Sequence, residues 1–241
     1  MIWILIAAAA LVGGLTQTVT GFGAGVVLML ALPLHFSIPD SAALTNAVCL
    51  VLSVSYVLRH RKWVKPSLVL LPAALYVLAS TTLISRIKGM DIKALGVAFG
   101  VFLILLSLYS LLFARRVAIK RGLGATVGCS LISGVFSGLF AVGGPLMALY
   151  YLAYTDDKES YTANIQCMFS IANIVNLIAR ILNGIYTARM LPVTAAGVAL
   201  ILLGGGIGER IADRLNAEVM RKVIYTFIGV SGVLTLVKYL A

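Results

Sequence analysis

Eight long uncharged runs alternate with short charged segments along the chain, and this pattern limits the fold more than any other feature. A helix needs roughly 20 apolar residues to cross the hydrocarbon core of a bilayer, and six of the runs suit one crossing each. The runs are continuous rather than alternating, so they predict helices and not a β-barrel. They cover residues 1–39, 41–58, 66–85, 94–114, 122–155, 160–179, 190–208 and 223–237.

The composition requires lipid as the solvent. Of the 241 residues, 61% are hydrophobic and 11% are charged, whereas a soluble domain carries about a quarter charged residues. These values exclude a water-soluble globule, a disordered chain and a collagenous chain. The short basic loops suit phospholipid headgroups, so we predict a lipid bilayer as partner and no nucleic acid.

The first and fifth runs, over positions 1–39 and 122–155, have an unusual length. Each is too long for one simple helix and short for two crossings with a turn. Each has a glycine cluster near its middle, Gly-Phe-Gly-Ala-Gly at residues 21–25 and Gly-Gly-Pro at 143–145. Glycine and proline interrupt helices. We therefore predict that each run is a broken helix or a re-entrant hairpin.

Matching positions in the two halves indicate an internal repeat. Gly23 and Gly143 are 120 positions apart, and Asn46 and Asn164 are 118 positions apart, each pair within a similar local sequence. Duplicated halves recur among transporters. We predict an all-α polytopic membrane protein with about eight transmembrane helices in two four-helix repeats, the first helix of each repeat broken at its glycine cluster. The predicted repeats cover residues 1–117 and 118–241.

The distribution of the net charge of +11 predicts the topology. If each long run crosses once, one side carries all of the +11 and the other sums to zero; if both runs are re-entrant, the sides carry +7 and +4. The positive-inside bias favours the first arrangement. That arrangement gives parallel repeats and two cytoplasmic termini. The re-entrant alternative gives inverted repeats.

The glycine clusters are the first candidate site. A helix that begins inside the membrane presents free N–H groups and the positive end of its dipole, which favour an anion. Glycine lets the backbone approach such a ligand closely. The alternative is close packing between helices, which we favour for Gly13, Gly14, Gly134 and Gly138. The candidate binding residues of the clusters are Gly21, Gly23, Gly25, Gly143, Gly144 and Pro145.

Polar side chains on the second helix of each half are the other candidates. In the second half four of them share one helical face because of their spacing, namely Gln166, Ser170, Asn173 and Asn176. A polar stripe within apolar sequence indicates a hydrated path or a polar ligand, or else hydrogen bonds between helices. The candidates are Asn46 in the first half, Gln17 beside the first cluster, and Asn164, Gln166, Ser170 and Asn173 in the second half, where Asn176 continues the stripe.

The acidic residues all flank the apolar runs, so an anion would meet no carboxylate along its path. Arg180 lies near a helix end, and we expect it to extend to the membrane interface. No hydrolase or phosphate-loop motif is present, so we predict no enzymatic activity, no catalytic residue, no cofactor and no metal. The acidic residues are Asp40, Asp91, Asp156, Asp157, Glu159, Glu209, Asp213 and Glu218.

Cys49 and Cys167 occupy equivalent positions in the proposed repeats. Free cysteine usually packs as a small apolar residue. The alternative is a thiol pair that handles electrons, which would make the protein a membrane thiol–electron carrier.

This pattern resembles the sulfite exporter TauE/SafE family of membrane permeases. The resemblance rests on the glycine-rich stretch from Gly14 to Pro33, its echo from Gly134 to Pro145, the helix with Asn164, and the Gly-rich helix after Pro192. It implies transport of a small anion, such as sulfite or an organosulfonate, across a bacterial or archaeal plasma membrane.

We therefore predict a multi-pass secondary carrier that moves a small anion, a sulfur oxyanion or an organosulfonate, by alternating access. Its substrate would lie between the glycine clusters and the polar faces around Asn46 and Asn164. A homodimer and a monomer both stay open.

Overall fold

The computed structural model describes residues 2–112, 119–211 and 217–240, which contain ten α-helices and no β-strand. The predicted boundary between residues 117 and 118, the acidic residue Asp213 and the side chain of Glu218 lie outside the described part of the chain. The helices are α1 (Ile2–Thr20), α2 (Ala24–Ala31), α3 (Ile38–His60), α4 (Pro66–Arg86), α5 (Ile92–Leu112), α6 (Leu123–Phe140), α7 (Gly144–Tyr154), α8 (Lys158–Leu182), α9 (Leu191–Ile211) and α10 (Ala217–Leu240).

Seven helices are long and apolar enough to cross a membrane within the described residues. They are α1, α3, α4, α5, α6, α8 and α9, and α2 and the apolar end of α10 are shorter. This confirms an all-helical, multi-pass membrane protein, with seven membrane-length helices in place of the predicted eight or so.

Local sequence signals set several helix starts. Ser37 and Asp157 precede α3 and α8, and their side chains accept hydrogen bonds from the backbone N–H groups of Asp40 and Ser160. These are the N-caps that serine and aspartate favour. Pro66 begins α4, where the missing N–H has no intrahelical partner to lose.

The chain folds back on itself after α1. Ala24, the first residue of α2, packs against Gly13 in the middle of α1; a Cβ on Gly13 would lie 3.3 Å from the Ala24 Cα. Leu28 and Leu32 then pack in one cluster with Ile6 near the start of α1. The segments α1 and α2 therefore form a helical hairpin whose second arm is short.

The chain folds back in the same way after α6. Near the start of α6, the Thr126 hydroxyl lies 3.2 Å from the hydroxyl of Tyr150, and the Gly122 N–H donates to the hydroxyl of Tyr154 at 2.6 Å. In the structure both long runs therefore fold back on themselves, as in the re-entrant alternative, and the side of the membrane that each end faces stays a prediction. Charge counting does not detect such a fold, because a short returning arm reverses every later helix without adding a charged loop.

The two hairpins enter the bundle from opposite ends. The open end of the first hairpin, opposite its turn, lies where α3 begins. The second opens where α8 begins, and there Asn164 hydrogen bonds to the backbone of Trp63 and Lys65, just beyond the end of α3. Helices α3 and α8 are therefore antiparallel, and Asn46 near the start of α3 meets Arg180 near the end of α8.

Each hairpin packs against a helix of the other half. Along α1 and α9, Leu11 lies beside Gly204 and Thr18 beside Gly208, so these helices run parallel. Helices α4 and α6 also run parallel, with Gly134 against the Tyr76 carbonyl. Helices α5 and α10 pair with each other.

Close packing is the role of four glycines, as predicted. A Cβ at any of them would meet a neighbouring backbone within 3.4 Å, so the absence of a side chain lets the helices touch. They are Gly13, Gly14, Gly134 and Gly138.

Candidate functional site

The turns of the two hairpins meet inside the bundle. We call residues 21–23 the first tip and residues 141–143 the second tip. A Cβ on Gly25, one residue into α2, would lie 2.8 Å from the Ala141 carbonyl oxygen, and one on Gly144 would lie 3.2 Å from the Phe22 Cβ. Glycine at these two positions therefore lets the tips touch.

The first tip is held by neutral amides. Gly21 and Gly23 have φ angles of 80° and 109°, which glycine adopts without a steric cost. The Gln166 Nε2 donates to the Gly21 carbonyl at 2.9 Å, and the Gln17 Nε2 donates to the Gln166 Oε1 at 3.0 Å. The turn thus has a fixed position against α8.

The second tip has a different construction. Ala141 takes the left-handed conformation with φ 54°, and its N–H donates to the Ser137 carbonyl at 2.8 Å. Pro145 lies in the first turn of α7, where proline is compatible with a helix start. The Tyr76 side chain packs against Gly143.

A small cavity of about 40 Å³ lies where the tips meet. One water needs roughly 10–15 Å³ by this measure, so the cavity suits a ligand of a few heavy atoms. Helices α2 and α7 both begin at its wall without a capping side chain, which leaves the first N–H groups of each helix without intrahelical partners. The polar side chains of the wall are Gln17, Thr45, Asn46, Ser53, Tyr76, Ser137 and Asn173.

Thr45 and Asn46 are the two wall side chains whose hydrogen bonding bears on an anion. The Thr45 hydroxyl is buried and has no hydrogen-bond partner among the described residues. The Asn46 Nδ2 donates to the Asn173 Oδ1 at 2.9 Å, and its Oδ1 accepts a hydrogen bond from the Arg180 Nε at 2.8 Å. Asn46 therefore joins the cavity to a cation behind it.

Arg180 is fully buried, with a relative exposure of 0%. Its Nη2 donates to the carbonyls of Ser137 and Gly138, at 3.3 and 2.9 Å. Its Nη1 is buried and has no partner in the described parts of the chain. Our expectation that it extends to the interface is wrong. Helix α8 continues past it to Leu182, and α3 and α6 enclose the guanidinium.

No acidic side chain balances this charge among those that the structure describes. Asp40 is half-buried and the five other described carboxylates are exposed. Arg180 is also the only buried charged side chain in the described parts of the chain. A buried charge without a counter-ion is unfavourable by several kcal/mol, so the arrangement is receptive to an anion.

Seven of the twelve predicted binding residues line the cavity. They come from both tips and from the facing sides of α1, α3 and α8, so the structure brings together residues that are far apart in the sequence. These seven are Gln17, Gly23, Gly25, Asn46, Gly143, Gly144 and Asn173.

The other five do not line it. Gly21 and Gln166 form the support of the first tip, and Pro145 begins α7. The Ser170 hydroxyl donates to the Gln166 carbonyl within α8. Asn164 holds the turn between α3 and α4 and lies away from the cavity.

Cys49 and Cys167, which the predicted repeat relates to each other, are both free. Cys49 lines the cavity and packs in one core cluster, whereas Cys167 lies at the edge of another. The structure therefore provides no bonded thiol pair between these positions.

Arg180 is the residue that sequence reasoning missed. The signal was available, because Arg180 lies four residues after Asn176 and seven after Asn173 and so continues the predicted polar stripe. Thr45, the residue before Asn46 on α3, was also not among the predicted binding residues.

Comparison with known proteins identifies the family. The sequence model of the family described as Sulfite exporter TauE/SafE matches residues 5–235, which is nearly the whole chain. Neither curated proteins nor solved structures give a match. The multi-pass helical fold agrees with a transporter. The chain therefore belongs to the sulfite exporter TauE/SafE family, whose members are membrane transporters and not enzymes.

Proposed function

We propose that this protein carries a small anion, a sulfur oxyanion or a small organosulfonate, and binds it in the cavity between the two tips. The family name points to sulfite as one such anion. The observation that carries the proposal is Arg180, a fully buried cation with no acidic partner among the described residues, one side chain behind the cavity wall.

The cavity wall supplies donors for such a ligand. The first N–H groups of α2 and α7, the free Thr45 hydroxyl and the amide of Asn46 lie at this wall and can donate to oxyanion oxygens. The proposed contacts of the glycine clusters are therefore backbone contacts. Gln166 and Gly21 support these contacts by fixing the first tip.

The carrier mechanism that we propose uses two repeats of inverted orientation, residues 1–117 and 118–241, each opening with a helix broken at its glycine cluster. Support comes from the helix pairs: α1 packs on α9 as α6 packs on α4, while α3 with α8 and α5 with α10 pair across the halves. Hairpins that enter from opposite ends can each close the cavity toward one side of the membrane. Alternating access would follow from exchanging which hairpin is closed.

The orientation follows from the corrected topology. With both hairpins folding back, the charged segments at the end of the bundle that holds the α3–α4 turn sum to +7, and those at the end with both termini sum to +3 once the buried Arg180 is left out. The positive-inside bias then places the +7 end in the cytoplasm. We propose a plasma-membrane protein with both termini outside, the reverse of the sequence prediction. A homodimer stays a prediction.

The decisive variant is Asn46→Asp. It keeps an oxygen acceptor for the Arg180 Nε and adds a carboxylate that neutralises the buried charge, and Asn173 can turn its amide to donate to the new oxygen. We expect sulfite flux into proteoliposomes to fall at least about tenfold, since interactions with charged groups contribute about 1.5–3 kcal/mol. The thermal stability should be retained.

Asn183→Asp is the matched control. Asn183 makes the same kind of polar contact at the end of α8, where its Nδ2 donates to the Ala179 carbonyl, and it does not line the cavity. Its flux should stay at the wild-type level. A folded Asn46→Asp protein with wild-type flux would remove the role of the buried charge.

A further inference from the structure

We propose that the anion that occupies this cavity carries a single negative charge, as hydrogensulfite or a monosulfonate does, and that dianions such as sulfite and sulfate are disfavoured. This inference rests on the proposed anion-binding role of the cavity and deepens it by naming the charge class of the substrate.

The first argument is the charge inventory around the cavity. Arg180 supplies one full positive charge, and every other Lys or Arg side chain whose burial the structure describes is exposed. No described carboxylate is buried beside it. The cavity therefore lies near one uncompensated unit charge.

The partial charges of the helix ends around the cavity do not change this net charge of one unit. The starts of α2 and α7 each contribute about +0.5 of a unit charge, and the ends of α1 and α6 each contribute about −0.5. The first two are uncapped, and the last turn of α6 receives hydrogen bonds from Arg180. The four partial charges offset one another, so the net charge beside the cavity is that of the Arg180 guanidinium.

The second argument is how each energy scales with ligand charge. The free energy lost when an ion leaves water grows with the square of its charge, whereas its attraction to one fixed cation grows only in proportion. A monoanion neutralises Arg180, while a dianion leaves a net negative charge in a low-dielectric site after a larger desolvation penalty. The small volume of the cavity also leaves no room for several waters beside the ion.

The test compares anions of equal shape and different charge. Chlorate is a pyramidal monoanion of the shape of sulfite, and perchlorate is a tetrahedral monoanion of the shape of sulfate. Binding to the purified full-length protein in nanodiscs is measured by calorimetry and by anion-dependent thermal stabilisation, with sulfite kept at alkaline pH so that it is fully deprotonated. We expect each monoanion to bind at least about tenfold more tightly than its dianionic counterpart, since tenfold corresponds to only about 1.4 kcal/mol.

Arg180→Gln removes an attraction that grows in proportion to ligand charge, so it should weaken the binding of the dianion in each pair more than that of the monoanion. Arg189→Gln, the same change at an exposed position, should leave both affinities unchanged. Equal or tighter binding of the dianions by the wild-type protein overturns the charge assignment and leaves the anion-carrier function standing. If no anion of either pair binds, and sulfite at neutral pH also fails to bind, the proposed function itself fails and the charge assignment with it. The wild-type comparison decides the matter even if Arg180→Gln does not fold.

Discussion

The two tips differ both in backbone conformation and in electrostatic surroundings. The first tip uses two glycines in left-handed conformations and is fixed by the neutral amides of Gln17 and Gln166. The second has Ala141 at its left-handed position, and the carbonyls of the preceding turn accept hydrogen bonds from Arg180. The comparison indicates that one tip is a neutral structural support while the other lies next to the charge that attracts the substrate.

The largest expected effect comes from removing the buried charge beside the second tip. Arg180→Gln removes the buried charge and keeps hydrogen-bond donors for the carbonyls of Ser137 and Gly138. We expect the rate of sulfite transport into proteoliposomes to fall about 10- to 100-fold, following the roughly 1.5–3 kcal/mol typical of interactions with charged groups. Arg189→Gln, at an exposed site, should transport normally. Unchanged transport by Arg180→Gln would assign Arg180 a purely structural role.

The next effect tests the contact between the tips. Gly25→Ala places a Cβ 2.8 Å from the Ala141 carbonyl oxygen, which is backbone and cannot turn aside. The tips must separate, so we expect a loss of about 1–3 kcal/mol in unfolding free energy, as for overpacking, together with reduced transport. Thermal unfolding measures the first effect and flux into proteoliposomes measures the second.

Gly128→Ala is the matched control for this change. It makes the same substitution in α6, where a Cβ meets nothing within 4 Å. Its stability should be equal or slightly higher, because alanine favours the helix by up to about 1 kcal/mol. If both variants behave alike, the tips are not held together by this contact.

A smaller effect is expected at the support of the first tip. Gln166→Leu leaves the Gly21 carbonyl and the Gln17 amide without their partner, which costs about 1–3 kcal/mol of stability in a buried site. Transport should fall less than in Arg180→Gln, because no charge is lost. A double-mutant cycle with Gln17→Leu should give a coupling energy of about 0.5–3 kcal/mol. Loss of transport as complete as in Arg180→Gln, in a folded protein, would make the first tip part of the substrate site.

Most of the helices could be predicted from the sequence, because hydropathy and length determine what a bilayer accepts. Whether the long runs cross or fold back could not. The length of the first run, over positions 1–39, is compatible with both, and the decision depends on packing between α1 and α2 that no local pattern records. The charge count could not detect the folding back, because it assigned loops to sides by crossing parity.

In the candidate site, too, residues marked by a local sequence pattern could be predicted, and a residue buried by tertiary packing could not. Glycines and amides that line the cavity were identified from the helix breaks and from the spacing of polar residues, because both can be read within a single segment of the sequence. Arg180 was placed at the interface because it ends an uncharged run, and only the packing of α3 and α6 against α8 makes it buried. Asn164, which the predicted repeat relates to Asn46, holds the turn after α3, because the start of α8 packs against the end of α3.

The smallest expected effect is that of Ala141→Gly in the second tip, and it is compared with the reciprocal substitution Gly23→Ala in the first. Ala141 has φ 54°, where an alanine is less favourable than glycine by about 1–2 kcal/mol. Ala141→Gly relieves this but also adds about 0.4–1 kcal/mol of unfolded-chain entropy, so we expect a stability change of at most about 1 kcal/mol and normal transport. Gly23→Ala introduces the same type of strain at φ 109° and a contact with the Thr16 Cγ2 at 2.7 Å, so it should destabilise by at least about 1–2 kcal/mol. Thermal unfolding of both variants gives the difference. Equal destabilisation by the two would mean that the tips respond alike, and that their difference lies only in the charge behind the second one.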